Sequence, residues 1–367
     1  MNEIPWWKVQ STGFEKTFIS RCLDNEYFNE GPLAIEFESA IRGEVNVSNA
    51  IVCSSGTAAL FLALKALGVK PGDLVGVPST TFIASANAVK LAGAVPIFID
   101  SDLETLTISN SDLRSALSEN IIKFLIVVHV SGRSAFNSEL NSIIEANNIK
   151  VIEDAAEAFA SKDPLSGKFL GTIGEAGIYS FSPNKIITSG QGGAVVTNSK
   201  EIANNCVALK DQGRPIRGTG GADDHPFEGY NFKLADINSA LALGQLKHLS
   251  KRINFLQEIY QSYKRNLIDC QHQKLLKFDI ARGELPLWPE IWSDDRMKLL
   301  QKMTKNKIGF REIWHPVNSQ PLYKRGRSTP NAERIAQHVF WLPSAFTLTQ
   351  QNIQEITKVI SCEKCSK

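Results

Sequence analysis

Three segments carry side chains whose types and spacing can do chemistry. In one, the apolar pair Val151-Ile152 runs into Glu153-Asp154-Ala155-Ala156-Glu157, a cluster of carboxylates. The cluster falls at the carboxyl end of a strand, where α/β sheets bind their ligands. A partly buried aspartate there needs a positive partner or hydrogen-bond donors. A protonated pyridine nitrogen, an arginine or a metal ion would each serve. In another, Tyr179-Ser180-Phe181-Ser182-Pro183-Asn184-Lys185 puts a lysine just past a strand among small residues. Buried, it is a nucleophilic amine able to form a Schiff base; exposed, it is an ordinary loop lysine. The last is Ser54-Ser55-Gly56-Thr57, between a short apolar run and an Ala/Leu-rich helix. Free N–H groups at that helix start, with the Thr57 hydroxyl, make a site for a phosphate or other anion. Without a ligand the same residues are a plain N-cap. Gly190, Gly192 and Gly193 invite a nucleotide-loop reading, yet no GxGxxG follows a first strand and no GxxxxGKS/T occurs.

The elements that must hold these segments alternate. Residues 51–53, 74–78, 94–99, 124–128 and 151–153 read as buried strands, with helices over 58–67, 83–92, 111–118 and 138–147. That alternation predicts βαβ units and a mostly parallel sheet covered on both faces. Strands at 178–181 and 193–197 frame the lysine. Residues 214–229 lack periodicity, and a loop of that length is usually functional or mobile. Periodic apolar residues over 236–267 predict one long helix. A domain boundary inside it, near residue 250, gives a large domain over 1–250 and a smaller α+β domain over 251–367.

Composition narrows the class. Lys+Arg number 40 and Asp+Glu 38, a net charge of +2, which argues against a broad nucleic-acid footprint. Apolar residues at 43% exclude a disordered chain. The first residues show no basic region followed by an apolar one, and the most apolar stretches are too short to span a bilayer. Six scattered cysteines are no disulfide framework and suit a reduced, cytoplasmic setting. Cys362 and Cys365 form a lone CxxC with no second pair, so a solvated tail is expected and no metal site.

Taken in order, the segments resemble the DegT/DnrJ/EryC1/StrS family of sugar aminotransferases. The resemblance covers nearly the whole chain: Glu30-Gly31-Pro32, Ser55-Gly56-Thr57-Ala58-Ala59-Leu60, Pro78-Ser79-Thr80-Thr81-Phe82, Gly93-Ala94-Val95-Pro96, Glu153-Asp154-Ala155-Ala156, Ser180-Phe181 with Lys185, Gly229-Tyr230-Asn231-Phe232, Gln245-Leu246 and Gln320-Pro321-Leu322-Tyr323. Glu157 and the Lys185-Ile186-Ile187-Thr188 stretch resemble its perosamine-synthase branch.

The resemblance implies the type I aspartate-aminotransferase fold, a mixed, mostly parallel sheet in a large domain with a smaller C-terminal α+β domain. It implies pyridoxal 5'-phosphate as cofactor and a homodimer with composite active sites. The implied reaction is ping-pong transfer of an amino group, from L-glutamate, to a nucleotide-linked keto sugar for amino-sugar biosynthesis. Lys185 would hold the cofactor as a Schiff base and move the proton; Asp154 would pair with the ring nitrogen and keep it an electron sink. Phe82 would stack on the ring, and Gly56, Thr57 and Ser180 would hold the phosphate. Glu157 would lie near the ring hydroxyl, where an ionised carboxylate cannot donate a hydrogen bond. Asn231 would reach the neighbouring subunit's cofactor. Arg214, Tyr230, Arg311 and His315 are the substrate contacts expected, with Arg217 beside Arg214 in the same loop.

Two departures from the family pattern stand in the chain. Many relatives place a histidine shortly after a proline where this chain has Pro316-Val317-Asn318, with His315 ahead of the proline. Phe136 replaces a common methionine, read as packing. Two other functions compete: a non-catalytic pyridoxal-phosphate-binding regulator of the same fold, and a nicotinamide-dependent sugar-nucleotide enzyme. The intact Lys185, Asp154 and Ser180 set favours the aminotransferase over the first, and the missing glycine fingerprint disfavours the second.

Overall fold

The computed structural model describes residues 3–216, 224–267, 269–323 and 326–361. Arg217, Cys362 and Cys365 lie outside the described residues. Seven strands build the main sheet: β1 (Asn49–Cys53), β2 (Leu74–Pro78), β3 (Val95–Ile99), β4 (Phe124–Val128), β5 (Lys150–Asp154), β6 (Ala176–Ser180) and β7 (Gly193–Thr197). Their order across the sheet is β1-β7-β6-β5-β4-β2-β3. β7 runs antiparallel to both neighbours, and the remaining pairs are parallel. Strands β4, β6 and β7 are buried throughout, as continuous apolar runs in a sheet covered on both faces must be.

The helices flanking this sheet are α1 (Glu15–Asp24), α2 (Pro32–Val45), α3 (Gly56–Ala66), α4 (Ala84–Leu91), α5 (Asn110–Glu119), α6 (Ser138–Ala146) and α7 (Lys200–Lys210). They start where short polar side chains cap free N–H groups: Ser55, Ser109, Asn137 and Ser199 each accept from the backbone three residues on.

The single helix expected over 236–267 is two, α8 (Asp236–Leu246) and α9 (Leu249–Asn266), broken at Lys247-His248. The break follows a change of packing partner. α8 lies against α1 so closely that a Cβ at Gly244 would stand 2.6 Å from the Glu15 Cα. α9 instead buries Ile259, Tyr260 and Tyr263 in a separate apolar core with Ile291, Met303, Phe340 and Ile356. Around that core stand β8 (Gln273–Leu275), β9 (Glu290–Ser293), β10 (Arg311–Glu312) and β11 (Val339–Trp341), an antiparallel sheet in the order β10-β11-β9-β8. α10 (Arg296–Lys305), α11 (Pro330–His338) and α12 (Gln350–Ile360) complete the helices of this part.

The reading of the cysteines as reduced is corrected at one position. Cys22, Cys53 and Cys206 are buried free thiols, but Cys270 is disulfide-bonded. Among the described residues no helix is long and apolar enough to cross a membrane.

Candidate active site

Asp154 is the last residue of β5, the middle strand of the main sheet, and successive side chains of a strand point to opposite faces. The carboxylate cluster is therefore split. Glu153 faces into the protein, where it accepts backbone N–H bonds from Gly171, Ile173 and Gly174 at 2.7, 2.5 and 2.6 Å. His129 Nδ1 accepts from the Ala135 N–H, so its Nε2 carries the proton and donates to Glu153 at 3.0 Å. Glu153 thus organises the loop beneath the site. Asp154 faces the other way, into a cavity of about 530 Å³.

That cavity brings together Gly56, Thr57, Phe82, Asp154, Glu157, Ser180, Lys185 and Arg311. One Asp154 oxygen accepts from the Ser85 hydroxyl at 2.7 Å and the other from the Ala156 N–H at 3.2 Å. Burial nevertheless pushes the Asp154 carboxyl above its ordinary value, against those bonds and the nearby Lys185 charge. A buried carboxylate facing a cavity is a socket for a cation. Burial also raises Glu157, opposed by Lys185 and by the Ser131 N–H bond, which measures 2.9 Å. Ser131 makes that bond from a left-handed backbone, φ 53°, fully buried.

Lys185 lies in the loop after β6, its N–H turned back onto the Ser182 carbonyl at 3.1 Å. Its setting is neither an apolar pocket nor open solvent. Nζ stands 3.3 Å from Glu157 Oε1 and 4.8 Å from the centre of the Trp288 ring, with 11% of the side chain exposed.

The anion site at the start of α3 is built by close backbone approach. The Ser55 hydroxyl caps the helix by accepting from Ala58 N–H at 3.1 Å, so that much of the plain N-cap reading holds. A Cβ on Gly193 would fall 2.4 Å from the Ser55 carbonyl oxygen, and one on Gly56 3.0 Å from the Ser180 Cβ. Glycine at both positions lets β6 and β7 press the helix start against Ser180. Phe82 is 51% exposed and lies on the cavity wall.

The remaining expected residues lie elsewhere. His315 is exposed and lines an adjoining cavity of about 420 Å³, which shares Thr81, Phe82, Arg311 and Trp314 with the first. Arg214 pairs with Asp211 at 3.2 Å, away from this chain's own cavity. Tyr230 stacks on Phe232 and bonds the Glu228 carboxylate, which pushes its phenol up to about 12. Asn231 is exposed and bridges to Asp211. Asn318, in the segment that departs from the family pattern, is a structural pin: its oxygen accepts from Ser79 at 2.6 Å and Thr329 at 2.9 Å. Phe136 packs in the core, as expected.

Sequence reading missed Ser85, Ser131, Trp288 and Trp314. Ser85 and Ser131 are visible only as partners of carboxylates in three dimensions. A tryptophan between Leu287 and Pro289 signals burial and nothing more.

A match to the DegT/DnrJ/EryC1/StrS aminotransferase family spans residues 10–361. The chain belongs to that family. It is similar to a GDP-perosamine synthase of Escherichia coli O157:H7, 33% identical over 98% of both chains. A Bacillus subtilis protein described as a putative pyridoxal phosphate-dependent aminotransferase, EpsN, is 31% identical over 95% of this chain and 92% of its own. The crystal structure of a family aminotransferase from Brucella abortus superposes with a TM-score of 0.87 at 27% identity, covering 95% of this chain and 94% of the other. The expected fold and the aminotransferase assignment are thereby met.

The cavity fits the cofactor of such an enzyme. Asp154, a buried carboxylate, could accept from a protonated ring nitrogen; Phe82 lies on the wall where a ring could stack; and Lys185 offers an amine. The α3 start and the Ser180 hydroxyl, packed side by side at Gly56, carry donors suited to a phosphate.

Proposed function

We propose that this aminotransferase uses pyridoxal 5'-phosphate to move an amino group from L-glutamate to a nucleotide-linked keto sugar, in amino-sugar biosynthesis. The observation that carries this reading is the convergence of Asp154 and Lys185 on one cavity walled by Phe82. The similarity to a GDP-perosamine synthase over nearly the whole chain supports a sugar nucleotide as acceptor.

The bound cofactor supplies an electron sink for a carbanion at the substrate's Cα. The chain's own residues do the rest. Asp154 holds a positive charge at the ring nitrogen, an interaction strengthened by burial. Ser85 fixes the Asp154 carboxylate through one oxygen, leaving the other facing the Ala156 N–H and the cavity. Lys185 Nζ would be the point of attachment and, once displaced, the base that would move the substrate's proton. Glu157 holds Nζ on one side and Trp288 bounds it on the other. The α3 start, Thr57 and Ser180 anchor the phosphate. Arg311, over the rings of Trp6 and Trp341 at 5.3 and 5.6 Å, offers a guanidinium to an anionic substrate group.

The exposed Asn231 suits a role at a neighbouring subunit's site, so the active form is a homodimer in this reading, with a large domain over 1–250 and a small one over 251–367. The test is to load the protein with pyridoxal phosphate, add glutamate and follow loss of visible absorbance. A panel of keto-sugar nucleotides then identifies the acceptor. Bleaching by glutamate with no amination of any sugar nucleotide would overturn the acceptor. A band indifferent to every amino donor would favour the non-catalytic regulator.

A further inference from the structure

The backbone on either side of Lys185 is gripped by two side chains from distant parts of the chain. Before the lysine, the Pro183 carbonyl accepts from Trp7 Nε1 at 2.9 Å. After it, the Ile186 carbonyl accepts from Arg252 Nη1 at 2.8 Å. The two grips are joined to one another. Arg252 Nη2 donates to the Gln10 carbonyl at 2.8 Å, three residues along the strand of chain that carries Trp7. The Phe346 ring touches both, 5.2 Å from Trp7 and 4.8 Å from the Arg252 guanidinium. We infer that Trp7 and Arg252 form a clamp that positions the Lys185 amine by fixing the carbonyls flanking it, and that both act through the lysine loop as positioning residues. The inference rests on the reading of Lys185 as the reactive amine.

Arg252 is a costly way to fill this space. It is 5% exposed, and the Glu15 carboxylate reaches it through the side chain of Gln245. Burial draws its guanidinium down to about 10, with the more distant Glu15 charge working the other way. A buried cation with no direct ion pair is retained where neutral acceptors satisfy its donors. Here they are the Ile186 and Gln10 carbonyls and the Gln245 side-chain oxygen. The planar fork holds its donors at fixed angles toward these acceptors, an arrangement that the single nitrogen of a lysine ammonium does not reproduce.

Trp7 arrives on the N-terminal segment. Its segment is laid along the second sheet's side of the molecule: Ile4 N–H donates to Lys307 at 3.0 Å, Gly309 N–H to Ile4 at 2.7 Å, and Ser344 N–H to Trp6 at 3.0 Å. The Trp7 ring also meets Trp288 edge-on at 6.5 Å, the ring beneath Lys185 Nζ. The N-terminal segment therefore registers the lysine loop against the C-terminal part of the fold. Reaction at the amine depends steeply on such registration, because an error of about 1 Å in a reacting group costs on the order of 100-fold.

The test uses Trp7→Phe, which keeps a ring and removes the N–H, and Arg252→Lys, which keeps a charge and removes the fork. Hydrogen–deuterium exchange on the cofactor-free chain reads the backbone of residues 182–187. We expect exchange there to rise roughly five- to tenfold in each variant, the scale of one hydrogen bond, with the rest of the main sheet unchanged. In the loaded enzyme kcat falls about tenfold or more, with KM for both substrates held within about twofold. If Arg252→Lys does not fold, Trp7→Phe carries the test alone. Wild-type exchange and kcat in Trp7→Phe would overturn the clamp. So would a loss spread evenly over the chain with only thermal stability affected. Failure of the wild-type protein to attach pyridoxal phosphate would instead overturn the reading of Lys185, and the exchange result does not depend on it.

Discussion

Lys185 Nζ faces Glu157 Oε1 at 3.3 Å while the other Glu157 oxygen accepts the Ser131 N–H at 2.9 Å. One buried carboxyl thus ties the amine to a strained, fully buried turn in the loop after β4.

Glutamine at position 157 keeps an acceptor for Ser131, and leucine does not. We expect Glu157→Gln to retain activity within about tenfold and Glu157→Leu to lose more. The leucine variant also unfolds more easily, by about 1–3 kcal/mol, the cost of leaving a buried N–H unpaired. Steady-state kinetics and urea denaturation of the two variants check this. Equal behaviour of both would show that the Ser131 bond contributes nothing.

Asp154 separates stability from function. Burial raises its carboxyl above the ordinary value of 3.8, so the folded cofactor-free chain holds that proton more tightly than the unfolded one. The associated stabilisation is fully present below about 3.8 and is lost as pH rises through the folded-state value. At neutral pH the charge is a burden until a cation meets it. Asp154→Asn is therefore expected to melt about 1–3 °C higher than wild type at pH 7.5 without cofactor, the difference shrinking as pH falls toward the carboxylate range. Activity of the loaded variant falls about 100-fold or more, as for removal of one electrostatic group from a reacting site. Calorimetry against pH reads the first effect; a lower melting point for the variant at pH 7.5 would contradict it.

Phe82 is half exposed, so its loss costs the fold little. Phe82→Ala is expected to change unfolding free energy by less than about 0.5 kcal/mol. Cofactor affinity falls roughly tenfold, as loss of one stacked aromatic contact implies. A spectroscopic titration with pyridoxal phosphate measures the second quantity, and unchanged affinity would remove Phe82 from the site.

The glycines at the start of α3 differ in degree. Gly193→Ala sets a Cβ 2.4 Å from the Ser55 carbonyl oxygen, a backbone atom that cannot step aside. It is expected to destabilise by about 1–3 kcal/mol through overpacking. Gly56→Ala meets the Ser180 side chain at 3.0 Å, so it chiefly displaces Ser180 and weakens phosphate binding. Denaturation midpoints and cofactor titrations of both variants would disagree with this if their order were reversed.

What was legible in the sequence was local. Asp154 and Gly56 sit at a strand end and a helix start, and Lys185 in the loop after a strand, each in a pattern of a few residues, and the βαβ alternation predicts the sheet that aligns them. The break at Lys247-His248 was not legible, because apolar periodicity continues through it while the packing partner changes. Trp7 and Arg252 were invisible for a related reason. The bond from Trp7 to Pro183 crosses 176 residues of chain and that from Arg252 to Ile186 crosses 66, and neither residue type announces a carbonyl partner. Arg311 and Lys185 were both expected in the site, yet the tryptophans that gather them appear only when Trp6, Trp288 and Trp341 come within 5.2 to 6.4 Å of one another.

The most direct measurement is borohydride reduction of the protein after incubation with pyridoxal 5'-phosphate, followed by peptide mass mapping. One phosphopyridoxyl group per chain is expected on Lys185, with loss of the visible band in Lys185→Ala. A label on another lysine, or a Lys185→Ala protein that keeps the band and full transamination, would contradict the assignment of Lys185 as the reactive amine.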